Sequence, residues 1–133
     1  MNAQVRIRIL GADDHRADAV ERVVTLDNDA DPLASRDAIA IAQRVELCFP
    51  DFTDGRAFSQ AYLIRRRLGF TGDLRATGDV LADQLVQMER TGFTSAVLKE
   101  GVDPADAKRQ LERFASFYQG DVVREAPFRQ REA

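Results

Sequence analysis

Hydrophobic and polar positions along this chain follow two alternating rhythms. Gln4 to Leu10 alternates polar and apolar residues, as a short strand with one wet face does. Strand-like runs recur at 23–26, 45–49, 74–77 and 95–99. Each is followed by apolar residues at helical spacing. The four stripes are Ala34, Ala38, Ile41 and Val45; Ala57, Ala61, Ile64 and Leu68; Leu81, Leu85, Met88 and Gly92; and Ala107, Leu111, Phe114 and Tyr118. Val45 also fits the start of the strand that follows. Asp31-Pro32 and Asp103-Pro104 read as a helix cap followed by proline at the first helical position. Gly69 and Gly120 read as helix stops.

Four strand–helix units in succession predict parallel strands joined by right-handed crossovers. Strand alternation places Val45, Leu47, Phe49, Leu74, Ala76, Ala96 and Leu98 on one sheet face. Glu46, Cys48, Arg75, Thr77 and Lys99 fall on the other. A parallel sheet covered by helices on both sides is apolar almost throughout, and this one is not. The pattern therefore predicts an α/β fold of four consecutive βα units, half (β/α)-barrel-like, with its helices on one face. The alternative is a doubly wound open sheet. One domain spans 1–133, with an N-terminal strand and loop at 1–18, βα repeats at 19–120 and an extended tail at 121–133. Open edges and a half-polar face call for cover from the N-terminal strand or a second copy of the chain, so a homo-oligomer is expected.

Composition narrows the function classes. The 133 residues are 44% hydrophobic and 31% charged, which suits a single globular domain with its own core. A net charge of −3 with dispersed arginines argues against nucleic-acid binding. The one basic run, Arg65-Arg66-Arg67, lies on a helix and points in several directions, as a solvated face or an anion contact. No apolar run approaches the ~20 residues that span a bilayer, and the N-terminus lacks the apolar core of a signal peptide, so a cytoplasmic protein without a membrane partner is expected. One cysteine and one histidine exclude an internal disulfide and a Cys/His metal cluster within the chain. No cofactor or metal is expected. His15 reads as an exposed residue of a polar turn at 11–18, and Cys48 as a small buried hydrophobe.

Candidate chemistry gathers where strands run into helices, since sites of parallel α/β folds form at the C-terminal strand ends. The turns at 51–56 and 77–79 supply small residues, backbone N–H groups and charges. Asp54, Gly55, Arg56, Arg75, Thr77, Gly78 and Asp79 form a candidate site for an oxyanion. Structural roles compete with this reading. Asp54 and Asp79 suit helix caps, and Arg75 in mid-strand suits a buried pair with Glu46. Asp51, Asp54, Asp79 and Glu100 have the oxygen ligands that Mg²⁺ uses, as a lesser possibility. No catalytic residue can be named.

The same turns carry a resemblance. Phe-Pro-x-Phe-Thr-Asp-Gly-Arg-x-Phe-Ser at 49–59, Leu-Arg-Ala-x-Gly-Asp-Val-Leu-x-Asp-Gln-Leu at 74–85 and Arg-x-Gly-Phe at 90–93 resemble a bacterial family of short proteins of unknown function. Its members are usually encoded beside assimilatory sulfite reductase and described as oxidoreductases probably involved in sulfite reduction. Asp73, Thr94 and Cys48 depart from the family pattern. The resemblance implies an accessory or adaptor protein of sulfite reduction with a partner in that pathway. The alternative is a small enzyme or binding protein acting on an oxyanion.

Overall fold

The computed structural model describes residues 7–51 and 53–113. Five strands form one parallel sheet: β1 (Arg8–Leu10), β2 (Val23–Leu26), β3 (Arg44–Phe49), β4 (Asp73–Gly78) and β5 (Ser95–Val97). Their spatial order is β1-β5-β4-β3-β2, all neighbours parallel. From β2 to β5 the chain advances one strand at a time, as a half-barrel requires. The connection from β1 to β2 instead runs back across the whole sheet.

That reversal gives the sheet its second layer. Right-handed crossovers in one direction put α2 (Arg36–Ala40), α3 (Arg56–Tyr62) and α4 (Leu85–Thr91) on a common face. A helix covering 104–113 joins them, with Ala107 and Leu111 in the same core. The first crossover carries α1 (Ala12–Ala17) onto the opposite face. The architecture is therefore doubly wound, with sequential strand order retained through β2 to β5. Residues 4–6, Phe114, Tyr118, Gly120 and the tail at 121–133 lie outside the described residues.

The core lies beneath α2, α3 and α4. Val45, Leu47, Phe49, Leu74, Ala76 and Ala96 line the sheet side, and Ala57, Ala61, Ile64, Leu85 and Met88 face them from the helices. Phe49 meets Phe58 edge-on at 5.1 Å and Phe93 at 5.8 Å between ring centroids, an arrangement that favours fixed ring positions. The stripes expected at 57–68 and 81–92 have the right phase. The stripe at 34–45 does not, because Ile39 is buried while Ala34, Ala38 and Ile41 are exposed. A 3₁₀ turn at Pro32–Ser35, capped by Asp31, precedes α2 and turns the chain by a different angle per residue. Val45 belongs to β3.

One helix changes pitch. After α3, Leu63–Arg67 forms a π-helical turn in which Leu68 N–H donates to the Leu63 carbonyl at 3.0 Å. Its three arginines have three fates. Arg65 turns inward and donates to the carbonyls of Gly92, Phe70 and Gly72 at 2.9, 2.8 and 2.9 Å. Burial lowers its affinity for a proton, with Asp73 opposing the shift. Arg66 lies over the Tyr62 ring at 5.2 Å, and Arg67 is exposed.

Candidate functional site

Strand register lays the polar residues of the second face in rows. Thr25, Glu46, Arg75, Ser95 and Arg8 stand side by side across the sheet, with Arg44 beside Asp73 one row earlier. Arg75 is completely buried. Its Nε donates to Ser95 Oγ at 2.8 Å, and its Nη2 donates to Asp18 Oδ2 at 2.5 Å and Asp73 Oδ2 at 3.0 Å. Its Nη1 lies 2.9 Å from Nδ1 of His15. A guanidinium has no acceptor, so Nδ1 accepts here and Nε2 carries the imidazole proton when the ring is neutral. That Nε2 lies 4.0 Å from Glu46 Oε2.

The surrounding shell is closed as well. Asp73 Oδ1 accepts from Ser95 Oγ and Thr94 Oγ1, each at 2.7 Å. Arg44 donates from Nε to Glu46 Oε2 at 2.9 Å and from Nη1 to the Asp18 carbonyl at 2.8 Å. The hydrogen bond from Arg75, then that from Arg8, hold the Asp18 carboxyl down to a pKa of about 2. Two expectations are corrected here. His15 sits in a helix and is half-buried against Arg75, not in an exposed turn. Arg75 does not pair with Glu46, its neighbour in register, because Arg44 occupies that carboxylate and Asp18 and Asp73 take the guanidinium.

The remaining candidates sit at the C-terminal edge of the sheet, away from that network. Asp54 Oδ1 accepts from Arg56 N–H at 3.0 Å, and Oδ2 accepts from Arg56 Nη2 at 2.9 Å and Asn28 Nδ2 at 2.6 Å. The side-chain bond from Arg56, seconded by its backbone N–H, lowers the Asp54 pKa, and Asp54 in turn raises that of Arg56. Asp54 thus binds the first N–H of α3 from the residue before the N-cap, which is Gly55, and Gly55 and Arg56 are exposed beside it. Asp51 folds its own turn by accepting from Thr53 N–H at 2.9 Å.

The neighbouring turn is built by close backbone approach. Gly78 has a φ of +96°, and a Cβ there would lie 2.4 Å from the Phe49 carbonyl oxygen. Asp79 N–H then donates to that carbonyl at 2.7 Å, locking the 77–79 turn beside the one leading to Asp54. Asp79 pairs with Lys99 at 3.1 Å. Thr77 Oγ1 reaches back to the Leu47 carbonyl at 3.4 Å. Two turns of the expected site are therefore adjacent, whereas Arg75 belongs to the polar face under α1. Among the described residues no cluster of three His, Cys, Asp or Glu is placed to hold a metal ion. Cys48 is a free, half-buried thiol in register with Thr77.

Topology points to a further crevice. The chain leaves β1 for one face and β5 for the other, and ligands of open α/β sheets bind where such connections diverge. A cleft of ≈ 450 Å³ lies there, between Gly11–Arg16 after β1 and Leu98–Pro104 after β5. Lys99 belongs both to this cleft and to the Asp79 pair. The sequence offers no signal for it, because the pairing of β1 with β5 is a long-range event.

The fold and its edge define a doubly wound α/β protein, and a family model narrows that class. The model described as "Bacterial protein of unknown function (DUF934)" matches residues 23–129, most of the chain. The chain belongs to that family. No curated protein and no solved structure matches it. The match begins at β2, so β1 and α1, including His15 and Asp18, precede the matched segment. Among the described residues no helix is long and apolar enough to cross a membrane.

Proposed function

We propose that this chain is an accessory protein of assimilatory sulfite reduction that acts by binding a cytoplasmic partner enzyme of that pathway. The pathway rests on the resemblance carried by 49–59, 74–85 and 90–93. The mode of action rests on one observation: the charged groups best placed for chemistry are engaged with one another. Arg75 is held by Asp18, Asp73, Ser95 and His15, Asp54 by Arg56, and Asp79 by Lys99. Such closed sets give rigid surfaces and leave little free to move a proton or bind a reacting group. The outer edge of β2 has no partner strand among the described residues, which supports self-association.

The accessory role is tested by deleting the gene in its host and growing the strain on different sulfur sources. Growth is expected to fail on sulfate and sulfite and to persist on sulfide or cysteine. Purified protein should restore sulfite-reductase turnover in the deletion extract. Equal growth on all four sources overturns the role.

A second reading is favoured by the adjacency of the 54–56 and 77–79 turns, with Arg56 largely exposed between them. It makes the edge a site for sulfite, sulfate or a carboxylate. Binding of that kind raises the melting temperature with the logarithm of ligand excess. Millimolar sulfite should then stabilise wild type and not Arg56→Ala, and no shift in wild type removes this reading.

A further inference from the structure

A second cleft lies at the opposite, N-terminal end of the strands. It measures ≈ 640 Å³ and opens between α2 and the end of the π-helical turn. Its apolar lining comes from Ile39, Leu68 and Phe70, and its charges from Arg36, Asp37 and Arg67. The far wall, Phe70–Gly72, is fixed by the two Arg65 bonds to carbonyls 70 and 72. Gln43 steadies the near wall, its Oε1 accepting from the N–H groups of Glu21 and Arg22 at 3.1 and 2.9 Å. The cleft is thus built on restrained backbone on both sides.

Its two arginines differ from those that hold the fold together. Arg8, Arg44, Arg56, Arg65 and Arg75 are each bonded to carboxylates or carbonyls. Among the described residues the guanidiniums of Arg36 and Arg67 make no hydrogen bond or ion pair. The π-helical turn contributes to this arrangement. Five residues per hydrogen-bonded step turn Arg65 inward and leave Arg67 beside Leu68 at the cleft, where a regular α-helix would place them differently. Such turns recur at functional sites.

The apolar surface does not stop at the cleft. Ile41, between the lining residues Ala40 and Ala42, is 66% exposed. Arg22 fixes its backbone, with Nε donating to the Ile41 carbonyl at 2.7 Å. An exposed aliphatic side chain at the rim of a charged cleft suits a polypeptide better than a small ion. Two unpaired guanidiniums at an apolar groove complement carboxylates flanking a hydrophobic side chain.

We infer that this cleft docks an acidic segment of a partner protein, with one hydrophobic side chain seated on Leu68 and Phe70 and carboxylates on Arg36 and Arg67. The inference names the contact surface for the accessory role and rests on that role only for the partner's identity. The test is selection of phage-displayed random heptapeptides on the full chain, with an Arg36→Glu/Arg67→Glu double variant as counter-target and Arg109→Glu as charge control. Both substituted arginines are exposed, so circular dichroism and melting should match wild type. Enrichment is expected for peptides with acidic residues around an aliphatic or aromatic one. A selected peptide should bind the double variant at least tenfold more weakly and Arg109→Glu equally well. Enrichment of peptides lacking acidic residues, equal binding to the double variant, or no enrichment at all overturns the proposal. A growth defect of the deletion strain without such enrichment leaves the accessory role standing and removes this cleft from it.

Discussion

Arg75 on β4 donates to Asp18 at 2.5 Å across 57 residues of chain, and so fastens the end of α1 to the middle of the sheet. The guanidinium is fully buried, whereas the carboxylate retains some contact with water. The pair therefore stabilises chiefly by satisfying a cation that has no other route to solvent. Removing either partner should have unequal effects.

Arg75→Met is expected to destabilise the fold by about 3 kcal/mol, the lower end for breaking a buried pair, because Asp18 and Asp73 can rehydrate. Arg75→Lys should recover little, since donors on one nitrogen cannot span acceptors served from three separate guanidinium nitrogens. Adding Asp73→Asn to Arg75→Met should return part of the loss, and adding Glu46→Gln none. Urea unfolding of the five proteins checks this, and rescue by Glu46→Gln contradicts the assignment of partners.

Acid should reveal Asp18. Its folded pKa is held to about 2, below the ~3.9 of an unfolded aspartate. Its stabilising contribution is then fully present above the unfolded value and disappears as pH falls through the folded one. The melting-temperature gap between wild type and Asp18→Asn should be constant above about pH 5 and close between about pH 4 and pH 2. A gap that persists at pH 2 would assign the effect to packing.

Two glycines with positive φ should respond differently to alanine. At Gly78 the new Cβ meets the Phe49 carbonyl, so about 3 kcal/mol or more is expected from clash added to backbone strain. At Gly69, with a φ of +68°, nothing lies within 4 Å of the new methyl, and only the left-handed penalty of about 1 kcal/mol applies. Equal melting temperatures for the two variants would show that the 77–79 turn yields.

An open β2 edge favours a dimer. Light scattering should give twice the chain mass, rising toward it with concentration. Val23→Lys, which places a charge at the start of that edge strand, should shift the population toward monomer. A monomer at all concentrations in wild type removes self-association from the proposal.

Much of the layout was legible because it is written locally. The strand runs at 45–49 and 74–77 sit within one residue of β3 and β4 at each end, and the 57–68 stripe follows the buried face of α3 and its π-helical turn. What escaped was held by distant charges. Residues 12–17 have no apolar stripe, so helical periodicity says nothing about α1. Its place depends on Asp18 and His15 meeting Arg75. Glu46 and Arg75 are neighbours as the alternation predicts but not a bonded pair, because register fixes neighbours and not which partner wins. The two clefts depend on where crossovers diverge and how the helix after Tyr62 changes pitch, neither of which is encoded in a short window.

The route of the first crossover also bears on how the chain acquires its shape. β1 is the first described strand to be made, yet its pairing partner is β5, and Ile7 N–H reaches Glu89 82 residues away. During synthesis β2, β3 and β4 can assemble as each emerges and offer α1 its partners Arg44, Glu46 and Arg75, while β1 has no strand to pair with until β5 is made. Contacts this distant in sequence carry a loop-closure cost that local ones avoid, and they form late. Ser95, which accepts from Arg75 Nε, arrives only with β5, so the pairing of β1 with β5 beside it is expected to be the step that completes the molecule.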